Sequence, residues 1–142
     1  MNKSNPLITR RFTFSSAHRM WNKSLSTSEN NRIFGMCQNV HGHNYVLEVT
    51  VGGKIDHKTQ CVVNLNTIKN TVDKKIILLI DHQYLNDVLL AKNVAKDLPV
   101  TLENLGFWVW KILDQEFKKQ KINLFSIRIW ESENNSVTFF KK

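Results

Sequence analysis

His41-Gly42-His43-Asn44-Tyr45-Val46-Leu47-Glu48-Val49-Thr50-Val51-Gly52-Gly53 is the stretch on which the fold turns. Side chains in a strand alternate between two faces, and Tyr45, Leu47, Val49 and Val51 are the apolar members of one face. The alternation predicts a half-buried strand over residues 44–51, with Gly52-Gly53 supplying its turn. His41 and His43 stand two apart at the start of that strand, so both imidazoles project to one side and can reach a single ion. Gly42 between them has no side chain, which lets neighbouring backbone or a ligand come close.

The same period over Arg11-Phe-Thr-Phe-Ser-Ser16 predicts a preceding strand that ends just before His18. Pairing of the two strands brings His18 alongside the other histidines. Three imidazole donors leave the fourth position of a tetrahedral zinc open, the arrangement of catalytic rather than structural sites. Cys37, four residues before His41, has two readings. It closes the shell of a structural site as a fourth ligand, or it stands beside the metal as nucleophile or base.

Outward from this centre, residues 20–36 are rich in Ser, Asn and Lys and predict a long ordered loop carrying a short helix. Residues 60–65 read as the strand returning from the glycine turn. Asn66 is the expected cap of a helix whose Ile68, Val72, Ile76 and Leu79 recur at helical spacing and which ends before Asp81-His82. Pro99 and Thr101 mark the start of a second helix with a stripe of Leu105, Trp108, Val109, Ile112, Leu113 and Phe117. Residues 122–130 and 137–140 are strand-like and joined by a polar turn. Strands, two helices and strands again, without repeats, predict an α+β domain with an antiparallel sheet.

The 142 residues fit one domain over 1–142. Ile76-Ile-Leu-Leu-Ile80 is far short of the roughly 18 residues of a membrane span, and Met1-Asn-Lys-Ser-Asn-Pro6 has no signal-peptide stretch. A cytoplasmic protein with no membrane partner is expected, with Cys37 and Cys61 as reduced thiols. The net charge of +8 attracts phosphate, but its lysines and arginines are scattered and no nucleic-acid motif accompanies them. Nucleic acid is not an expected partner; a small polyphosphate substrate would use the same field, with Arg10, Arg11 or Lys23 to receive it.

Asp81-His82 places a carboxylate beside an imidazole, a pairing that fixes the tautomer and raises basicity for proton transfer. Glu131 ends the penultimate predicted strand and has two readings: a solvent carboxylate, or a buried one able to accept two parallel N–H bonds from a guanidine-like heterocycle edge.

Six segments in register carry a resemblance: Phe14-Ser-Ser-Ala-His18, Phe34-Gly-Met-Cys-Gln-Asn-Val-His-Gly-His-Asn-Tyr45, Val63-Asn-Leu65, Asp81-His82-Gln-Tyr-Leu85, Leu102-Glu-Asn104 and Trp130-Glu131. Together they resemble the 6-pyruvoyltetrahydropterin synthase and 6-carboxytetrahydropterin synthase family over residues 9–140. The resemblance implies a tunnelling fold: a four-stranded antiparallel sheet with two helices on one face, three subunits closing a barrel, and two trimers stacking into a hexamer. It further implies zinc on His18, His41 and His43, a catalytic set of Cys37, Asp81 and His82, and a pterin ring gripped by Glu131. Glu103 belongs to the pterin pocket in relatives, although Leu102 here replaces the hydroxyl residue that precedes it there. The implied substrate is a reduced pterin triphosphate, 7,8-dihydroneopterin triphosphate, from which triphosphate departs.

Two products share that substrate. Three residues between Cys37 and His41 resemble the 6-carboxytetrahydropterin branch, which serves queuosine, since animal pyruvoyl enzymes place five there. The 25–35 loop and Val63-Asn-Leu65 resemble the 6-pyruvoyltetrahydropterin branch, which serves tetrahydrobiopterin. The carboxy product is the expectation, because the Cys-to-His spacing sits in the active site. A related aldolase activity is disfavoured because Val40, not a glutamate, precedes His41. A non-catalytic zinc protein closed by Cys37 is the rival from another class.

Overall fold

The computed structural model describes residues 5–92 and 98–141. The first four residues of the leader reading lie outside that range.

Two twelve-residue strands form the centre: β1, Leu7–His18, and β2, His41–Gly52. They pair antiparallel over their whole length, with Leu7 opposite Gly52 and His18 opposite His41. β2 therefore begins at His41, and β1 runs through His18 rather than stopping short of it. β4, Asn123–Trp130, joins the other side of β2 with a bulge at Thr50/Val51, and β5, Ser136–Phe140, forms the outer edge.

The predicted four-stranded antiparallel sheet is corrected to a five-stranded mixed one in which a short β3, Gln83–Tyr84, lies outermost in the order β3-β1-β2-β4-β5. The extra strand, β3 (Gln83–Tyr84), lies parallel to β1 at Ser16 and Ala17. Two residues leave no periodicity to read. The strand expected over residues 60–65 is absent; Asn64 caps a helix there by accepting from the Asn66 amide. The cap is thus two residues earlier than expected.

Helices are more numerous than the two expected on the sheet face together with the short one expected within residues 20–36, which is α1, Thr27–Phe34, and adds nothing to the hydrophobic core. They are α1, Thr27–Phe34; α2, Leu65–Val72; α3, Leu78–Ile80; α4, Leu85–Ala91; and α5, Leu102–Lys119. Phe12, Phe14, Tyr45, Leu47, Val49, Val51, Ile127 and Ile129 from the strands meet Ile68, Ile76, Leu105, Val109 and Phe117 in one core. Each such side chain, fully buried, contributes roughly 1.5–3 kcal/mol. No helix among the described residues is long and apolar enough to cross a membrane.

Between α2 and α3 the chain makes a π turn, Asp73–Ile77, with a physical cause in the sequence. Ile68, Val72, Ile76 and Ile80 are all fully buried at strict spacings of four. In an α-helix of 3.6 residues per turn that stripe drifts by about 40° per step. The wider π turn winds it back. Ile80, not Leu79, therefore fills the last core position, and Asp81 emerges directly after it.

Gly106 lets α5 approach β5. A Cβ there would stand 2.7 Å from Phe139 Cε2 and 2.9 Å from Val137 Cγ1. Overpacking of this kind costs about 1–3 kcal/mol, against roughly 1 kcal/mol gained in helix propensity. Gly106→Ala is expected to lower stability by about 1 kcal/mol in denaturant melts; a gain would show that β5 yields freely.

Candidate metal centre and active site

Full-length pairing of β1 and β2 sets His18 opposite His41, and the pleat puts His43 on the same side. The ligand atoms of the three imidazoles lie within 4.8 Å of one another, with ring centroids 4.6 to 5.2 Å apart. Gly42 serves the approach expected of it, since a Cβ at that position would lie 3.1 Å from the Ser16 carbonyl oxygen.

Backbone carbonyls orient two of the rings. His18 Nδ1 lies 2.8 Å from the Val100 oxygen and His41 Nδ1 lies 2.7 Å from the Asn39 oxygen. A carbonyl only accepts, so each Nδ1 carries the proton and each Nε2 keeps its lone pair. The Nε2 atoms of His18 and His43 are buried without a hydrogen-bond partner. An unsatisfied buried polar atom costs about 1–3 kcal/mol. Convergent lone pairs in this state fit a cation that accepts nitrogen donors, zinc among them.

Burial holds the His18 imidazole below its ordinary value of 6.5, with the charges of His41 and His43 acting the same way and the Val100 bond and Glu131 opposing. Between the folded and unfolded values the unfolded chain binds more protons, so stability falls as pH drops through that window. Chelator-treated protein is therefore expected to weaken from about pH 6.5 downward in denaturant melts. Stability unchanged between pH 7 and 5 would contradict this.

Glu131 follows β4 and places Oε1 3.5 Å from His18 Nε2 and 3.6 Å from His43 Nε2. Its carboxylate thus borders the imidazole cluster and a cavity of about 590 Å³ whose walls include Trp130 and Asn44.

Asp81 and His82 lie at the edge of β1. Asp81 Oδ1 accepts from the Ser15 amide at 2.9 Å and stands 3.0 Å from His82 Nδ1, and the His82 amide donates to the Ser15 carbonyl at 2.7 Å. The Ser15 N–H bond is the chief reason the Asp81 carboxyl titrates below its usual range. His82 adopts φ 58°, a left-handed conformation that residues with a Cβ rarely take. Its imidazole faces a cavity of about 540 Å³ together with His43, Gly42, Ser15 and Tyr84.

Cys37 sits exposed in a 3-10 turn, Gly35–Gln38, and its carbonyl accepts from the Met20 amide at 2.8 Å. Among the described residues the donor cluster comprises the imidazoles alone, without Cys37. Order in the preceding segment comes from Asn30, fully buried, whose amide binds the backbone of Asn22, Leu25 and Ser26. A capping box between Ser26 and Glu29 starts α1.

Glu103 is exposed in the first turn of α5, where a negative charge suits the helix dipole, and no contact ties it to the imidazoles. It lies three residues beyond Val100, the carbonyl partner of His18. Sequence reasoning missed Val100 and Asn39, since a backbone acceptor has no residue signature. It also missed Asn86, whose side-chain amide holds both backbone groups of Arg19.

The family model described as 6-pyruvoyl tetrahydropterin synthase matches residues 7–142. A 6-pyruvoyl tetrahydrobiopterin synthase of Dictyostelium discoideum is 39% identical over 134 residues, covering 94% of each chain. A 6-carboxy-5,6,7,8-tetrahydropterin synthase of Aquifex aeolicus is 35% identical over 86 residues, covering 57% of this chain and 52% of its own. The solved structure of Caenorhabditis elegans 6-pyruvoyl tetrahydropterin synthase superposes with a TM-score of 0.87 at 28% identity, covering 98% of this chain and 97% of that one. With a family match across nearly every residue and a relative alike from end to end, this chain belongs to the 6-pyruvoyl tetrahydropterin synthase family.

Proposed function

We propose that the chain is a zinc-dependent lyase that eliminates triphosphate from 7,8-dihydroneopterin triphosphate and forms 6-pyruvoyltetrahydropterin. The observation that carries the metal reading is the pair of Nδ1 carbonyl bonds that turn imidazole lone pairs toward a common point. Zinc held by His18, His41 and His43 would polarise the substrate's side-chain hydroxyls and stabilise negative charge on them. Cys37 takes a side-chain proton as base, and His82, steadied by Asp81, moves the next. Glu131 accepts from the guanidine-like edge of the pterin ring.

The choice of product follows the relatives. The pyruvoyl-named relative is 39% identical along 94% of the chain, whereas carboxy-named relatives match at 35% along 57% of it or at 28% along 88%. That balance favours the pyruvoyl branch over the carboxy branch expected from the Cys37–His41 spacing. The carboxy reading keeps one observation: the three intervening residues are accommodated by a tight turn, with the Asn39 amide on the Met36 carbonyl. Mass spectrometry of the product is expected to find the three-carbon side chain intact; loss of a two-carbon aldehyde would assign the carboxy reaction.

Subunit closure is part of the proposal. Among the described residues β3 covers β1 only at Ser16 and Ala17 and β5 is the far edge, which leaves two strand edges for pairing. A trimer or hexamer is the form expected in sedimentation analysis.

A further inference from the structure

We propose that Arg19 is the cation that receives the triphosphate arm of the substrate, with Asn86 as its positioning residue; this rests on the substrate reading above. Arg19 directly follows the imidazole His18. Its amide donates to Asn86 Oδ1 at 2.9 Å, and Asn86 Nδ2 donates to its carbonyl at 3.0 Å. The side chain of Asn86 thereby continues the strand pairing that β3 makes as far as Ala17 and Tyr84.

The guanidinium lies over the Trp21 ring, 4.3 Å from its centroid. A guanidinium resting on an aromatic ring keeps its N–H donors for other partners, and a planar fork of this kind grips phosphate oxygens in pairs. Among the described residues no carboxylate forms an ion pair with Arg19, whereas Lys69, Lys75, Lys118 and Lys119 are all engaged. Its charge acts at the Tyr84 phenol, where it opposes the upward push of burial, and Asp87 acts there in the other sense. Tyr84 walls the cavity shared by His43 and His82.

The two arginines that the sequence offers for this role are poorly placed within the chain. Arg10 and Arg11 stand eight and seven residues up β1 from His18, about 26 and 23 Å away at strand rise. Arg11 is in addition paired with Glu48 at 3.4 Å.

Calorimetry with inorganic tripolyphosphate on the zinc-loaded protein tests the assignment. Arg19→Gln is expected to weaken binding at least tenfold and to raise KM for 7,8-dihydroneopterin triphosphate more than it lowers kcat, with zinc content and melting temperature unchanged. Asn86→Ala should give a smaller loss, and Arg19→Lys a partial recovery because charge returns without the planar edge. Tripolyphosphate binding of wild-type strength in Arg19→Gln, or an equal loss in Arg11→Gln, would overturn the proposal. Wild-type protein that binds tripolyphosphate through Arg19 yet releases none from the pterin would overturn the reaction reading and leave the anion site standing.

Discussion

Replacing Cys37 by Ala is expected to leave one zinc bound per chain while turnover falls by about a thousandfold or more, within the range a positioned proton-transfer group supplies. The expectation rests on two facts of geometry. The thiol stands outside the cluster of imidazole donors, and its turn is anchored to the Met20 backbone independently of any metal. Zinc analysis and melting temperature should match the parent protein, so that the loss is confined to kcat. Zinc content that falls together with activity would make Cys37 a fourth ligand and return the chain to the class of structural zinc proteins.

His41→Ala should do the reverse and remove the metal without unfolding the chain. His41 suits this test because its ring is only partly buried, whereas His18 is 2% exposed and its truncation would open the core. Losing one of three donors should weaken zinc binding by more than the roughly 10–100-fold typical of losing a supporting hydrogen bond. The parent protein, at metal a thousandfold above its dissociation constant, gains about 4 kcal/mol of stability from binding. Melts with and without added zinc should show that increment in the parent and little of it in His41→Ala. An increment of equal size in both would mean that the cation sits elsewhere.

The imidazole cluster was legible because a strand alternates with period two, and His41-Gly42-His43 needs only that period to place two rings on one side. The same logic located α5, whose Thr101 cap accepts from the Asn104 amide and whose stripe is long enough to be unambiguous. Where the reading failed, the deciding contact was one that no hydrophobic period encodes. Asn64 in place of Asn66 as a cap is a shift between two residues of the same type, separated only by which side chain meets which amide. Residues 60–65 are apolar enough for a strand, yet β1 and β4 already occupy both edges of β2.

Glu131 shows the division within the site. Its position at the end of a predicted strand was readable, but its 3.5 Å approach to His18 Nε2 depends on β2 lying between β1 and β4.

Taken alone, the order of residues determined an α+β chain, the convergence of three imidazoles and the chemical types gathered around them, because strand and helix periods are local properties. Tertiary structure decided which nitrogen of the His18 and His41 rings is free, through the Val100 and Asn39 carbonyls, and how Asp81-His82 is held, through Ser15, 66 positions earlier in the chain for the Asp81 bond. Those are bonds to backbone groups, identical in every residue, so only the folded path of the chain selects which of them a side chain meets.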